Sequence, residues 1–299
     1  MTQDPEQLYR GESKRRFERI KSRTRYNRNL LLCAAPGVAL GIILVAVSPV
    51  LGLIVAVGGG IGGAVFYHWR LWSQATAQAE HEVMSAWAAE RGWTYERDPA
   101  ALDGVAFCRD REKPVFKHGF SGPMAGLPGH IVNFTYSTYE TRTTTAADGS
   151  VTTTRQEVKH KHTVLRLDLG DLGLEKLQLS PQGLGGGMFE KLRSTFTGSH
   201  NVNLESSEFN RRFTLLVDDR ADDLMVRRVF EPAFIVRCVE GRFPMATFQY
   251  ERPALAFIWG DQYDVTELEE IEHRIADAAP MAEALAAIRQ RLATELNRP

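Results

Sequence analysis

Two histidines in "KHKH", His160 and His162, stand two residues apart, so a strand would turn both to one face where they could hold a metal together. Two ligands are too few. A structural zinc takes four and a catalytic zinc three, and His118, His130 and Cys108 have no spacing that predicts convergence on the pair. A phosphate cradle is the second candidate chemistry, because "VGGGIGGAV" at 57–65 places Gly58, Gly60 and Gly63 in the pattern G-x-G-x-x-G. That pattern needs a strand before it, a helix from it and a second strand ending in an acid that meets the ribose. Glu80 and Glu82 lie at about the right distance, but the residues between read as helix with no second strand.

The remaining chemistry is thinner. No G-x-S-x-G occurs, His81-Glu82 lacks the second histidine of a zincin, and Cys108 and Ser121 stand without an identifiable base. The acidic run "DDRADD", residues 218–223, lacks the glycine and spacing of a calcium loop, and Asp219 or Asp222 fits a helix cap better. A glycine-rich stretch, "PQGLGGGMFEKLRS", precedes a possible short helix at Met188, where amides could hold an anion with help from Lys191 or Arg193. It lacks the Lys-Ser/Thr ending of a P-loop. No catalytic set and no cofactor are expected.

The elements around the first glycine run explain it differently. From Leu30 to Trp69 there are forty residues without Asp, Glu, Lys or Arg, about twice one bilayer crossing. As a single helix this run would reach roughly 60 Å, so it must fold back. Pro49 in "VSPV" marks the place, giving two transmembrane helices at 30–47 and 50–68. In lipid, small residues let helices approach closely. Gly58 with Gly62, or Gly59 with Gly63, and Gly37 with Gly41 have the G-x-x-x-G spacing, which serves packing of the two spans or association between chains.

Charge sets the orientation. Residues 1–29 carry nine basic against four acidic residues, and the positive-inside rule holds that segment in the cytoplasm. Two spans return the chain to the same side, beside the interfacial aromatics Tyr67, Trp69 and Trp72. Both termini are thus expected at the cytoplasmic face of a multi-pass cell membrane protein. Lipid is the expected first partner. Residues 70–299 are mildly acidic, 27 basic against 33 acidic, which argues against nucleic acid.

The chain then divides into a basic segment 1–29, the spans within 30–69, a juxtamembrane helix 70–92, a cytoplasmic domain 93–265 and C-terminal helices 266–299. Strand-length pieces, "VAFC", "PVFKHGF", "HIVNFTY", "HTVLRLDL", "LEKLQL", "FTLLV", "MATFQY" and "ALAFIW", are interrupted by one helical stretch, "DDLMVRRVF". Strands and helices are segregated, which predicts an α+β fold with an antiparallel sheet after an N-terminal transmembrane helical hairpin. Two helical stripes end the chain, the second starting at Pro280.

The least ordinary stretch is 138–163, "TYETRTTTAADGSVTTTRQEVKHKHT". Asp148-Gly149 signals a hairpin turn, and Thr143, Thr144, Thr145, Thr152, Thr153 and Thr154 favour strands that are polar on both faces. A long hairpin projecting into solvent is expected, serving as a plain surface loop, as an edge that pairs with another protein, or as a threonine cluster for a Ser/Thr kinase.

"LESSEFNRRFTLLVDDRADDLMVRRVFEPAF" at 204–234, with "SAWAAERGWTY" upstream, resembles uncharacterised bacterial two-span membrane proteins, a domain-of-unknown-function group marked by E-F-N-x-x-F. The resemblance implies an inner-membrane protein with a cytoplasmic α+β domain and supplies no catalytic residues. The expected function is a membrane-anchored binding or scaffold module with a protein partner or a second copy of itself. The alternatives are a membrane-associated enzyme or a subunit of a small pore or transport assembly.

Overall fold

The structure is a computed structural model that describes residues 5–23, 26–45, 48–109, 111–145, 151–182, 198–241, 246–264 and 267–296. It divides into two compact units, Met1–Trp87 and Ala88–Pro299.

The first unit is helical: α1 (Pro5–Arg23), α2 (Tyr26–Val45) and α3, which starts at Pro49 and runs on to Glu90 in the second unit. Ser48 and Pro49 open α3 because proline at a first-turn position gives up only an amide that has no helical partner. Among the described residues α3 is the helix long and apolar enough to cross a membrane, and only 6% of its most apolar window is buried. The apolar part of α2, Arg28–Leu44, is shorter.

Glycines set how α2 and α3 meet. A Cβ on Gly37 would fall 2.4 Å from the carbonyl carbon of Gly59, and one on Gly63 would fall 2.2 Å from the carbonyl oxygen of Cys33. Backbone touches backbone here. Farther along, the Tyr26 hydroxyl bonds His68 Nδ1 at 2.8 Å and the Asn29 amide donates to Tyr67 Oη at 3.2 Å. The basic segment proves to be more than a charge run. Its α1 helix packs Phe17 against His68 and Trp72 in a small cluster with Leu71 and Ala75, and Arg16 pairs with Glu82.

The second unit is α+β, built on one antiparallel sheet. Its strands are β1 (Thr94–Glu96), β2 (Glu112–Met124), β3 (Leu127–Thr145), β4 (Val151–Asp168), β5 (Lys176–Pro181), β6 (Ser199–Asn201), β7 (Phe213–Asp218), β8 (Thr247–Glu251) and β9 (Ala254–Trp259). They lie in the order β1-β2-β3-β4-β9-β8-β5-β7-β6. Three short helices, α4 (Ser207–Arg212), α5 (Asp223–Val229) and α6 (Pro232–Val239), follow β6 and β7, and α7 (Leu268–Leu296) ends the described chain. Asp222 caps α5 by accepting the Leu224 amide at 3.0 Å. In the E-F-N stretch Phe209 is fully buried, while the Asn210 side chain bonds both the amide and the carbonyl of Leu204.

Two local expectations fail for identifiable reasons. "VAFC" forms a 3-10 turn at Ala106–Cys108 whose first ring amide is taken by a buried side chain, Phe107 N–H donating to Gln249 Oε1 at 3.0 Å. The C-terminal stripes belong to one helix, because Leu268, Ile271, Ile275, Ala278, Ala282, Leu285, Ile288 and Leu292 form an unbroken buried face. Pro280 sits on the exposed side of α7, as does Ala276, whose carbonyl loses its helical donor to the proline and is left to water.

Candidate functional site

The site begins where β3 and β4 leave the sheet. Their ladder runs from Gly129↔Leu167 to Thr145↔Val151, but β2 supports β3 only as far as Glu112↔Ser137, and β9 supports β4 only as far as Thr163↔Trp259. From Thr138↔Val158 outward the two strands therefore form a ribbon that no third strand joins among the described residues, with only side chains such as Lys113 reaching it, at Glu157. Thr143, Thr144, Thr152, Thr153 and Thr154 are exposed on it. The turn residues Asp148 and Gly149 lie outside the described residues, and so does the glycine-rich stretch at 183–197. Both ribbon edges carry unpaired backbone groups, the usual template for adding a strand.

At the root of the ribbon the two sheet faces differ. On one face Tyr136 stacks with both His160 and His162, at 4.9 and 5.6 Å between ring centroids, and Phe107 meets His162 edge-on at 4.9 Å. The Arg111 guanidinium lies 4.7 Å from the Tyr136 ring centroid, over its face. The two imidazoles thus serve a stack. His160 Nε2 bonds Thr138 Oγ1 at 2.8 Å, and His162 Nδ1 donates to the Trp259 carbonyl at 3.1 Å. Among the described residues no group of three or more His, Cys, Asp or Glu converges on a metal position. His162 is 4% exposed and its Nε2 has no partner. Burial pushes its pKa down to about 4, further lowered by His160 and Arg111 and opposed by the Trp259 bond and Asp261.

The opposite face carries a cavity of about 570 Å³. Asn133 and Thr135 of β3 form its floor, Lys117 of β2 and Lys161 of β4 flank them, and the loop 260–264 crosses over. Several bonds fix that loop. Asn133 donates to the Tyr263 carbonyl at 2.9 Å, Gln262 Nε2 donates to Thr135 Oγ1 at 2.8 Å, and the buried Arg274 of α7 holds Asp261 and Glu270. On the far side the Tyr263 hydroxyl donates to the His118 carbonyl.

His118 is held in an unusual conformation, with a φ of 53° at the bulge that shifts the β2–β3 register between Lys117 and Phe120. Such a conformation persists in a residue other than glycine when its surroundings dictate it. Here the Tyr95 hydroxyl bonds His118 Nδ1 at 2.9 Å, and the His118 amide donates to the Arg97 carbonyl at 2.8 Å.

The other candidates do not assemble. Burial pushes the Cys108 and Cys238 thiols up to about 12, so both remain protonated and unreactive at neutral pH. Ser121 faces His130 across the β2–β3 ladder, but no hydrogen bond joins them among the described residues. In the helical unit, space for a Cβ separates the glycines: Gly37, Gly59 and Gly63 lie in the α2–α3 seam, Gly58 and Gly62 face open space, and Gly41 lies farther along α2.

No protein-family model matches this chain, and no curated protein matches it. Among solved structures, the crystal structure of the mycobacterial trehalose monomycolate transport factor A, TtfA, aligns with 69% of this chain and 94% of its own, at 12% identity and a TM-score of 0.37. So loose a likeness leaves the functional reading to the site itself.

Proposed function

We propose that this protein is a membrane-anchored binding module. In this reading α2 and the first part of α3 cross a cell membrane as two spans, both termini and the sheet domain face the cytoplasm, and an extended segment of a partner protein pairs with an open edge of the β3–β4 ribbon. The observation that carries it is the ribbon, two strands paired as far as Thr145↔Val151 with no further strand paired to either of them, among the described residues, beyond Ser137 and Thr163. An isolated two-stranded ribbon is marginal in water, and a third strand both stabilises it and satisfies its edge groups.

The anchor is supported by apolar surface that water would not tolerate. Leu31, Ile43 and Val50 are 68%, 67% and 70% exposed, and the α2–α3 seam leaves such side chains facing outward, where lipid would cover them. Exposed Lys14, Arg19, Lys21 and Arg28, with Arg70 next to the exposed Trp69, suit anionic headgroups at about 1 kcal/mol per charge near the surface.

A cysteine at Thr153, introduced together with Cys33→Ser, tests the reading. We expect a membrane-impermeant maleimide to leave it unlabelled in intact cells, and a permeant one to label it more slowly in cells than in the purified chain. Labelling from outside would overturn the orientation. Equal rates in cells and in purified protein would overturn an occupied ribbon.

A further inference from the structure

The cavity at the ribbon root has a chemistry of its own. Lys117 pairs with Asn133 and Lys161 pairs with Thr135 in the strand ladders, so the two lysines stand on opposite sides of β3 and on the same face. Strand spacing and rise put their backbones roughly 12 Å apart, a gap that two extended lysines close around a single oxyanion. Both side chains are exposed. Two other sheet lysines have acidic partners: Lys113 meets Glu157 at 3.1 Å, and Lys176 meets Asp218 at 3.6 Å. Among the described residues neither Lys117 nor Lys161 has one. Asp261, at the cavity wall, is held by Arg274 at 3.2 Å, while Asp264 stands exposed at the rim.

The hydrogen-bonding groups agree with the charge. Thr135 Oγ1 accepts from Gln262, which leaves its own proton for another acceptor, and this hydroxyl lies on the floor between the lysines. The cavity is within the size range of small-ligand sites. Its wall includes His118, the residue held at a left-handed φ by Tyr95, Tyr263 and Arg97. Conformational strain of this kind collects where a site must be shaped.

We propose that this cavity binds the phosphate of a small ligand, with Lys117 and Lys161 clamping the oxyanion and Thr135 donating to it. Lysine serves phosphate as a mobile point charge, which suits two side chains reaching in from separate strands. The assignment is independent of the ribbon's partner, since either one can fail while the other stands.

The test is calorimetric titration of the detergent-solubilised full chain with inorganic pyrophosphate. We expect saturable one-to-one binding, weakened about tenfold or more by Lys117→Ala and by Lys161→Ala and unchanged by Lys113→Ala. Both affected lysines are exposed, so thermal unfolding should stay at the wild-type temperature. No saturable binding, or equal affinity in all three variants, would overturn the proposal. A second arm uses a water-soluble short-chain phosphatidic acid. Tighter binding than pyrophosphate assigns the site to a lipid headgroup, and weaker binding assigns it to a soluble phosphate ester.

Discussion

Gly63→Leu should drive α2 away from α3, whereas Gly62→Leu, one residue earlier, should leave the two helices packed. The expectation follows from where a side chain would go. A Cβ at Gly63 meets the Cys33 carbonyl oxygen at 2.2 Å and its carbon at 2.8 Å, and backbone cannot step aside as a flexible side chain can. At Gly62 a Cβ meets nothing within 4 Å. Overpacking against side chains costs about 1 to 3 kcal/mol, and a clash with main chain belongs at or above the upper end. Gly59→Leu and Gly58→Leu repeat the contrast, because Gly59 faces the Gly37 backbone at 2.7 Å and Gly58 faces open space. Reversible unfolding in sodium dodecyl sulfate, followed by tryptophan fluorescence, should give an early midpoint for the Gly59 and Gly63 variants. Equal midpoints for neighbouring variants would remove the seam.

The second large effect is on pH dependence. An unfolded histidine takes up its proton near pH 6.5, but His162, buried against Phe107 and Tyr136 with Nδ1 committed to the Trp259 carbonyl, does so only at about 4. Between those values the unfolded chain binds a proton that the folded chain refuses. The contribution is therefore fully present above pH 6.5 and is lost as pH falls, reaching on the order of 3 kcal/mol by pH 4. His162→Phe keeps a ring in the stack and abolishes the titration. Urea unfolding should show the wild type losing more stability than the variant between about pH 7 and pH 4.5. Parallel pH profiles would mean that the imidazole is not held neutral.

How much of this was legible depended on whether a signal was local. The strand-length apolar pieces other than "VAFC", the paired polar strands before and after residues 146–150 and the Asp222 cap carry their causes within a few residues, and they appear in the fold. The glycine spacing was equally plain, but its facing was not. Gly58-Gly62 and Gly59-Gly63 have identical spacing, and only the rotation of α3 against α2 selects the second pair. The α1 helix was hidden because Phe17 and Ile20 are nearly alone among charges in carrying its contact with α3. Pro280 suggested a helix start because the proline rule ignores which face of the helix points to water.

The cavity had no sequence signal at all. Lys117 and Lys161 become neighbours through strand register, and the bulge at His118 that shapes the wall depends on Tyr263, far away in the chain. His160 and His162 illustrate the converse. Their spacing did place them on one face, but Tyr136 from the adjacent strand supplies the contact that decides their role.

The ribbon is the binding edge on which the proposed function depends. Glu140 and Gln156 face each other in the ladder, so residues 141–155 can be replaced by an Asn-Gly turn that closes the hairpin without disturbing the sheet. The decisive measurement compares the full chain with this shortened chain by crosslinking in living cells, purification, and mass determination of what is attached. We predict one discrete crosslinked species from the full chain and its loss from the shortened chain at equal membrane abundance, with twice the chain mass identifying a second copy as the partner. The same species from both chains would contradict the account.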